Sequence, residues 1–500
     1  MSARLHPVMF AGTGSDVGKS ILATAFCRIF RQDGYNPAPF KAQNMALNSF
    51  ATPEGLEIGR AQAVQAEAAG IPCHTDMNPL LLKPQSDHTS QVVLNGRPIG
   101  NRDAYDYFRK EGREELRTAV YAAYDRLAAR HNPVVMEGAG SLAEINLRDS
   151  DLVNVPMAIH AGADIILVGD IDRGGVFASV YGSVMLLRPE ERRYVKGILI
   201  NKFRGDLRLF EEGRRMLEEL CGIPVLGVVP YYHDIHIEEE DSVALAAKSA
   251  AAQRGKVNVA VVLLRHISNF TDFNVLEQDP RVHLFYSNNV DELAKADILI
   301  LPGSKSTLDD LYEIRRNGVA QAILRARREG ASVLGICGGY QMMGTQIRDP
   351  HHVEGDIEAM PGLGLLPLVT EMLPEKVTRQ VRFALAGDGT GEATIEGYEI
   401  HMGKTLPDQG QEARPLNRLE NGQTDGWLAD EKCMGSYIHG ILDNPAFIDR
   451  LLAPHSAKID AAAAPFDYHA FKQQQYDLLA GHVRKYVDVP LLYDILMGKR

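Results

Sequence analysis

The residues best equipped for chemistry are a cysteine and a lysine, each set among glycines. In Val333-Leu334-Gly335-Ile336-Cys337-Gly338-Gly339-Tyr340 an apolar run enters a cysteine bracketed by small residues. This pattern predicts a strand that turns sharply into a helix, a nucleophile elbow whose missing side chains leave the sulfur accessible. The N–H of Gly338 would meet an oxyanion, and the helix start would favour the thiolate. A second oxyanion donor is expected at Gly303, in the Gly303-Ser304 loop after the strand-like ILILP. A thiol nucleophile needs a base. Among 16 histidines, His439 in GSYIHG is the best placed, at the end of another strand. Cys27, Cys73, Cys221 and Cys433 lack such a setting and are expected to be structural.

The lysine lies near the amino terminus. Gly12-Thr13-Gly14-Ser15-Asp16-Val17-Gly18-Lys19-Ser20 follows a strand-like run and opens a helical one. Backbone N–H groups and a helix dipole at such a junction cradle polyphosphate. Lys19 would reach the outer phosphates and the Ser20 hydroxyl would sit on Mg2+. Gly12 stands six positions before Gly18, one more than in the common GxxxxGK[ST] motif. Two later strands end in acids: Glu137 after PVVM, and Asp170 with Asp172 in GDIDRGG. All three are expected at the carboxyl edge of the sheet beside the phosphates, with Glu137 and Asp170 as oxygen ligands for the metal. For Asp172 a turn-forming role is equally expected.

A phosphate loop and a Cys/His pair in one chain make sense together if one site activates an acid and the other releases a nucleophile. A free carboxylate is a poor electrophile, whereas its acyl phosphate carries a leaving group that ammonia can displace. Ammonia from glutamine fits the thiol site.

These residues must be held by the ends of parallel strands. Short β-branched runs (HPVMFAG, PVVMEGAG, DIILVGD, VKGILIN, IPVLGVVP) alternate with helical patterns, the first near 19–33, which is the signature of a parallel α/β sheet. A second set, VNVAVVLL, ADILILPGS, ASVLGICGG, GYEIHMG and GSYIHGIL, predicts a second α/β domain. The expected division is 1–245 for the ATP-dependent amide-ligase domain, 246–256 for an alanine-rich linker, 257–448 for the glutamine-hydrolysing domain, and 449–500 for a helical tail. KTLPDQGQEARPLNRLENGQTDG reads as a polar surface loop. Five hundred residues with a net charge of −12 favour a multidomain globular enzyme over a nucleic-acid or anionic-membrane binder. Scattered cysteines, no apolar signal core and no long apolar span point to the cytoplasm. Assembly into a homo-oligomer is left open.

The motifs GTGSDVGKS, PFKAQNMALNS, MEGAGSLAEINL, GDIDRGGVFASV, NKFRGD, RHISNFTDFNVL, LPGSKST, GICGGYQMMG, GYEIHMG and SYIHGILDN occur in order along nearly the whole chain. Together they resemble the cobyric acid synthase family, glutamine-hydrolysing amidotransferases of cobalamin biosynthesis. The resemblance implies a P-loop, dethiobiotin-synthetase-like first half and a class I glutamine amidotransferase-like second half. It implies ATP and Mg2+ as cofactors, and glutamine and a corrinoid polycarboxylate as substrates. The reaction implied is amidation of the b, d, e and g side chains of adenosylcobyrinic acid a,c-diamide to adenosylcobyric acid. By resemblance Cys337 forms a glutamyl thioester, His439 is its base, and Gly12 to Ser20 bind ATP. Lys41 would approach the phosphates, Glu137 hold the metal, and Asn201 read the adenine.

One departure stands out. Common class I amidotransferases carry an acid two places after the histidine, and here that place is Ile441. Asp443 and Glu399 are nearby candidates to orient His439, or the pair acts as a dyad. For an acidic substrate, Lys83, Arg148, Arg173, Lys202 and Arg204 are candidate contacts, with solvated surface charge as the alternative for each. Competing functions are the a,c-diamide synthase of the same pathway, a P-loop ATPase switch carrying a binding module, and a cell-wall amidotransferase.

Overall fold

The computed structural model describes residues 4–84, 89–103, 113–238, 248–253, 255–386, 395–459 and 466–500. The chain forms two compact units. The first comprises Met1–Ala46, Ile58–Glu238 and Ala470–Arg500; the second comprises Leu47–Glu57 and Glu239–His469.

In the first unit six parallel strands lie in the order Val225–Pro230, Val195–Phe203, Asp164–Asp170, Val8–Gly12, Val134–Glu137 and Ala38–Phe40. Val8–Gly12 is buried along its length, as a strand covered on both faces must be, which explains its uninterrupted apolar run. The chain leaves this central strand in both directions across the sheet. The carboxyl ends of Val8–Gly12, Val134–Glu137 and Asp164–Asp170 therefore lie side by side, where α/β sheets bind ligands. Helix Lys19–Gln32 opens directly behind Gly18, whose φ of 97° needs glycine.

The second unit repeats the principle. Its strands run Val282–Ser287, Val257–Val262, Ile298–Leu301, Ser332–Ile336, Cys433–Ser436 and Trp427–Asp430, parallel except for the last pair. A second sheet is built around the long antiparallel pair Leu368–Leu385 and Ile395–Pro407.

Four expectations change. The tail expected over 449–500 is no appendage, because helices Tyr468–Tyr486 and Val489–Leu496 place Tyr476, Leu479, Val483, Leu492 and Ile495 in one apolar core with Phe26 and Phe30. Second, Leu47–Glu57 leaves the first unit's sequence and belongs to the second unit. Third, the expected polar loop over 404–426 contains the end of the Ile395–Pro407 strand and the pair Asn417–Leu419 and Thr424–Asp425. Leu416, Asn417 and Leu419 are buried within that polar text. GYEIHMG lies in the same antiparallel sheet rather than the parallel one. Of the expected linker 246–256, residues 246, 247 and 254 lie outside the described residues.

Candidate active sites

Cys337 follows strand Ser332–Ile336 and precedes the short helix Gly338–Met342. Its backbone adopts φ 52° and ψ −110°, a conformation that costs energy for a side-chain-bearing residue and persists where function or packing requires it. The flanking glycines are required sterically. A Cβ on Gly339 would fall 1.9 Å from Leu301 O, and one on Gly335 would fall 2.6 Å from Met343 Sδ. A Cβ on Gly338 would lie 2.9 Å from Ser304 N, and one on Gly303 would lie 3.5 Å from His439 Cε1. The two expected oxyanion positions thus flank the thiol and its base.

His439 follows strand Cys433–Ser436 and is 1% exposed. Cys337 lies near enough for its sulfur to act on the imidazole, while its S–H donates to Ile400 O at 3.4 Å. Nδ1 sits 2.7 Å from Asp272 Oδ2, while Asp272 Oδ1 accepts the N–H of Gly440 at 3.2 Å. Burial alone would lower the imidazole pKa, but the Asp272 carboxylate and the Cys337 sulfur outweigh it and raise it to about 10. Tyr398 stacks on the ring with centroids 5.1 Å apart.

Asp272 is the residue that sequence reasoning missed. Glu399 pairs with Arg379, and Asp443 lies on the turn Ile441–Asp443 beyond Gly440; the acid on the imidazole comes from the turn Phe270–Phe273. The available signal was the RHISNFTDFNVL motif, which carries an acid with no other assigned role. Gln341, one helical turn after Cys337, accepts from Thr307 Oγ1 at 3.2 Å and donates to Tyr437 OH at 3.2 Å. His401 stacks on Tyr437, and burial lowers its pKa to about 4. It is a neutral neighbour, not a rival base. Burial raises the thiol pKa of Cys27, Cys221 and Cys433, the last to about 11, and Cys73 is buried. Thiols so placed react poorly.

In the first unit the loop after Val8–Gly12 wraps around Lys19. The ammonium donates to Gly14 O at 2.8 Å and to Gly140 O at 3.1 Å. Burial is the main cause that lowers its pKa to about 8. A Cβ on Gly12 would lie 2.7 Å from Gly14 O and 2.9 Å from Lys19 Nζ, so the extra residue in this loop is accommodated by a glycine that cannot be replaced without movement. Thr13 bridges Ser141, and Leu142 N donates to Gly12 O at 2.8 Å, joining this loop to the Gly138–Leu142 turn. Asp16 has φ 57°.

Glu137 gathers three donors: Ser20 Oγ at 2.8 Å and Lys41 Nζ at 2.9 Å on Oε1, and Gln65 Nε2 at 2.8 Å on Oε2. Burial alone would raise this carboxyl, yet the Lys41 charge and these hydrogen bonds outweigh it and hold it below its ordinary range. Ser20 and Glu137 together form an oxygen-only pair suited to a hard cation. Asp170 pairs with Lys202 at 3.0 Å. Asn201 donates to Val17 O at 2.9 Å, and a Cβ on Gly18 would collide with its amide. One N–H of its amide thus braces the loop. Among the described residues no cluster of three or more His, Cys, Asp or Glu could hold a metal.

The expected basic contacts are mostly paired with acids: Arg148 with Glu191 at 3.7 Å, Arg173 with Asp16 at 3.9 Å, Lys202 with Asp170, and Arg204 with Asp172 at 2.7 Å. Lys83 is buried on strand Leu80–Pro84.

Comparison with known proteins joins the two sites. Residues 8–243 match the CobQ/CobB/MinD/ParA nucleotide binding domain, and residues 258–447 match the CobB/CobQ-like glutamine amidotransferase domain. A cobyric acid synthase from Bacteroides fragilis is 75% identical over 496 residues, 99% of each chain. The chain belongs to the cobyric acid synthase family. Relatives of the same name from Phocaeicola vulgatus (70% identical over all of each chain) and Syntrophobacter fumaroxidans (49% over 99% of each) extend the similarity across more distant bacteria. In this cobyric acid synthase family member, the nucleotide-binding match spans the phosphate loop, Lys41, Glu137 and Asn201. The amidotransferase match spans Asp272, Gly303, Cys337 and His439. No helix among the described residues is long and apolar enough to cross a membrane.

Proposed function

We propose that the chain amidates the b, d, e and g side-chain carboxylates of adenosylcobyrinic acid a,c-diamide, using ATP and glutamine, to give adenosylcobyric acid. The observation that carries this reading is the presence in one chain of a lysine-centred phosphate loop and an elbow cysteine beside a buried His–Asp pair.

In the glutaminase half, Cys337 Sγ attacks the glutamine carboxamide carbon as His439 Nε2 takes the thiol proton. Asp272 holds Nδ1–H and stabilises the imidazolium. The N–H groups of Gly338 and the Gly303-Ser304 loop face the tetrahedral oxyanion. His439 returns the proton to the leaving nitrogen, ammonia departs, and water resolves the thioester to glutamate.

In the ligase half, a substrate carboxylate oxygen attacks the γ-phosphorus of ATP and ADP leaves. Ammonia then adds to the acyl carbon, and phosphate leaves with the C–O bond. Lys19 and the loop N–H groups of Gly12 to Ser20 bind the phosphates, Lys41 assists at the same edge, and Asn201 braces the loop. Ser20 and Glu137 would hold magnesium, which would offset polyphosphate charge. Reliance on ATP and a free thiol supports a cytoplasmic location.

The test is mass spectrometry of the corrinoid incubated with protein, ATP, magnesium and glutamine, each omitted in turn. Four successive carboxamides that require ATP are expected. Amidation of a different acid would remove the corrin assignment and keep the chemistry.

A further inference from the structure

Both nitrogens of the His439 imidazole are engaged. Nδ1 meets Asp272, and Nε2, the nitrogen that must take the Cys337 proton, lies 3.2 Å from Asn269 Nδ2. Asn269 is buried, and its orientation is set from its other end, where Oδ1 accepts the backbone N–H of Ser49 at 2.9 Å. A backbone N–H can only donate, so it selects the oxygen end of the amide and turns the NH2 end toward His439. That orientation works against the base. The NH2 lies against the nitrogen that must take the Cys337 proton, and it offers no acceptor to Nε2–H in the imidazolium that the Asp272 carboxylate favours. Turned by half a rotation, the same amide would present its oxygen to Nε2–H and stabilise the imidazolium.

Ser49 belongs to Leu47–Glu57, the stretch of the first unit's sequence that is part of the second unit. It is seated there by several contacts. Gln380 Nε2 donates to Ala51 O at 2.9 Å, Lys376 pairs with Glu57, and Phe50 packs on Tyr398 with centroids 4.5 Å apart. Tyr398 in turn stacks on His439, so the stretch meets the base by two routes. Upstream it is continuous with Lys41, whose ammonium bonds Glu137 at the phosphate edge.

We infer that Asn269 is a positioning residue holding the His439 base in a resting form, and that the Ser49 N–H sets which end of its amide the base meets. Loading of the ligase site shifts the segment that follows Lys41, Ser49 lets go, Asn269 turns its oxygen to Nε2–H, and glutamine hydrolysis follows acceptor loading. This rests on the assignment of Cys337 and His439 as the glutaminase pair.

The experiment measures glutamate release and carboxamide formation in the full chain, with and without ATP and corrinoid. Asn269→Asp is isosteric, tolerates the left-handed backbone at φ 52°, and presents only acceptors to His439. It is expected to raise acceptor-independent glutamate release roughly five- to tenfold, as for gain of one hydrogen bond to the imidazolium, with glutamate in excess over carboxamide. Ser49→Pro removes the N–H while leaving Asn269 in place, and is expected to uncouple in the same sense. A wild-type ratio of glutamate to carboxamide in both variants, at whatever rate, overturns the inference. Cys337→Ser is the control: glutamate release that survives it overturns the thiol assignment instead.

Discussion

Asp272 Oδ2 lies 2.7 Å from Nδ1 of His439, and both side chains are almost wholly buried. A carboxylate at that nitrogen fixes the tautomer in which Nε2 carries the lone pair, and it stabilises the imidazolium formed when Cys337 is deprotonated. Asp272→Asn keeps the shape and removes the charge. Glutamine-dependent amidation should fall by on the order of 10²–10⁴-fold, with ammonia-dependent amidation close to wild type. Initial rates with each nitrogen source decide it, and equal losses would show that Asp272 acts on the fold rather than on the base.

Cys337→Ser tests the division of labour between the sites. A serine at the elbow lacks a nucleophile of comparable reactivity at neutral pH, so glutamine-driven amidation should disappear and ammonia-driven amidation should remain. Loss of both would sink the separate-sites reading. A thiol-alkylating reagent should label Cys337 ahead of Cys27 and Cys433, whose thiols burial makes harder to ionise, and peptide mapping reads the order directly.

Much of this arrangement was legible because it is local in sequence. Glycines around Cys337 and Lys19 announce turns that only glycine can make, and strand-end positions brought forward Glu137 and His439. Asp272 was not legible by spacing, since it lies 167 positions from His439 and only the fold joins them. The tail was misjudged for a related reason. Tyr476, Leu479 and Val483 have the helical spacing of any amphipathic segment, and nothing in that spacing names the Lys19–Gln32 helix as the surface they cover. The Leu47–Glu57 excursion has no compositional mark at either end.

Gly339 gives a prediction about folding rather than catalysis. A Cβ there would overlap the Leu301 carbonyl at 1.9 Å, a backbone group that cannot rotate away. Gly339→Ala should therefore destabilise the second unit by at least about 2 kcal/mol. Lowered thermal stability together with lost glutaminase is expected, while nucleotide binding persists. An unchanged melting temperature would contradict the packing of the elbow against strand Ile298–Leu301.

Lys19 supplies a pH test with a definite sign. In the nucleotide-free protein burial lowers its pKa to about 8, so the ammonium starts to lose its proton just above neutrality. Bound phosphates favour the charged form and raise that pKa, which makes ATP binding take up a proton wherever the free protein has lost it. Affinity should hold nearly constant below about pH 7 and weaken as pH rises through 8 and beyond, by up to about tenfold per pH unit until the bound-state pKa is reached. Calorimetry in buffers of different ionisation enthalpy measures the uptake as a buffer-dependent heat at pH 8.5 that fades at pH 6.5. Lys19→Ala should bind ATP weakly at both pH values with no such uptake, and should lose amidation from glutamine and ammonia alike, because acyl activation precedes either nitrogen source.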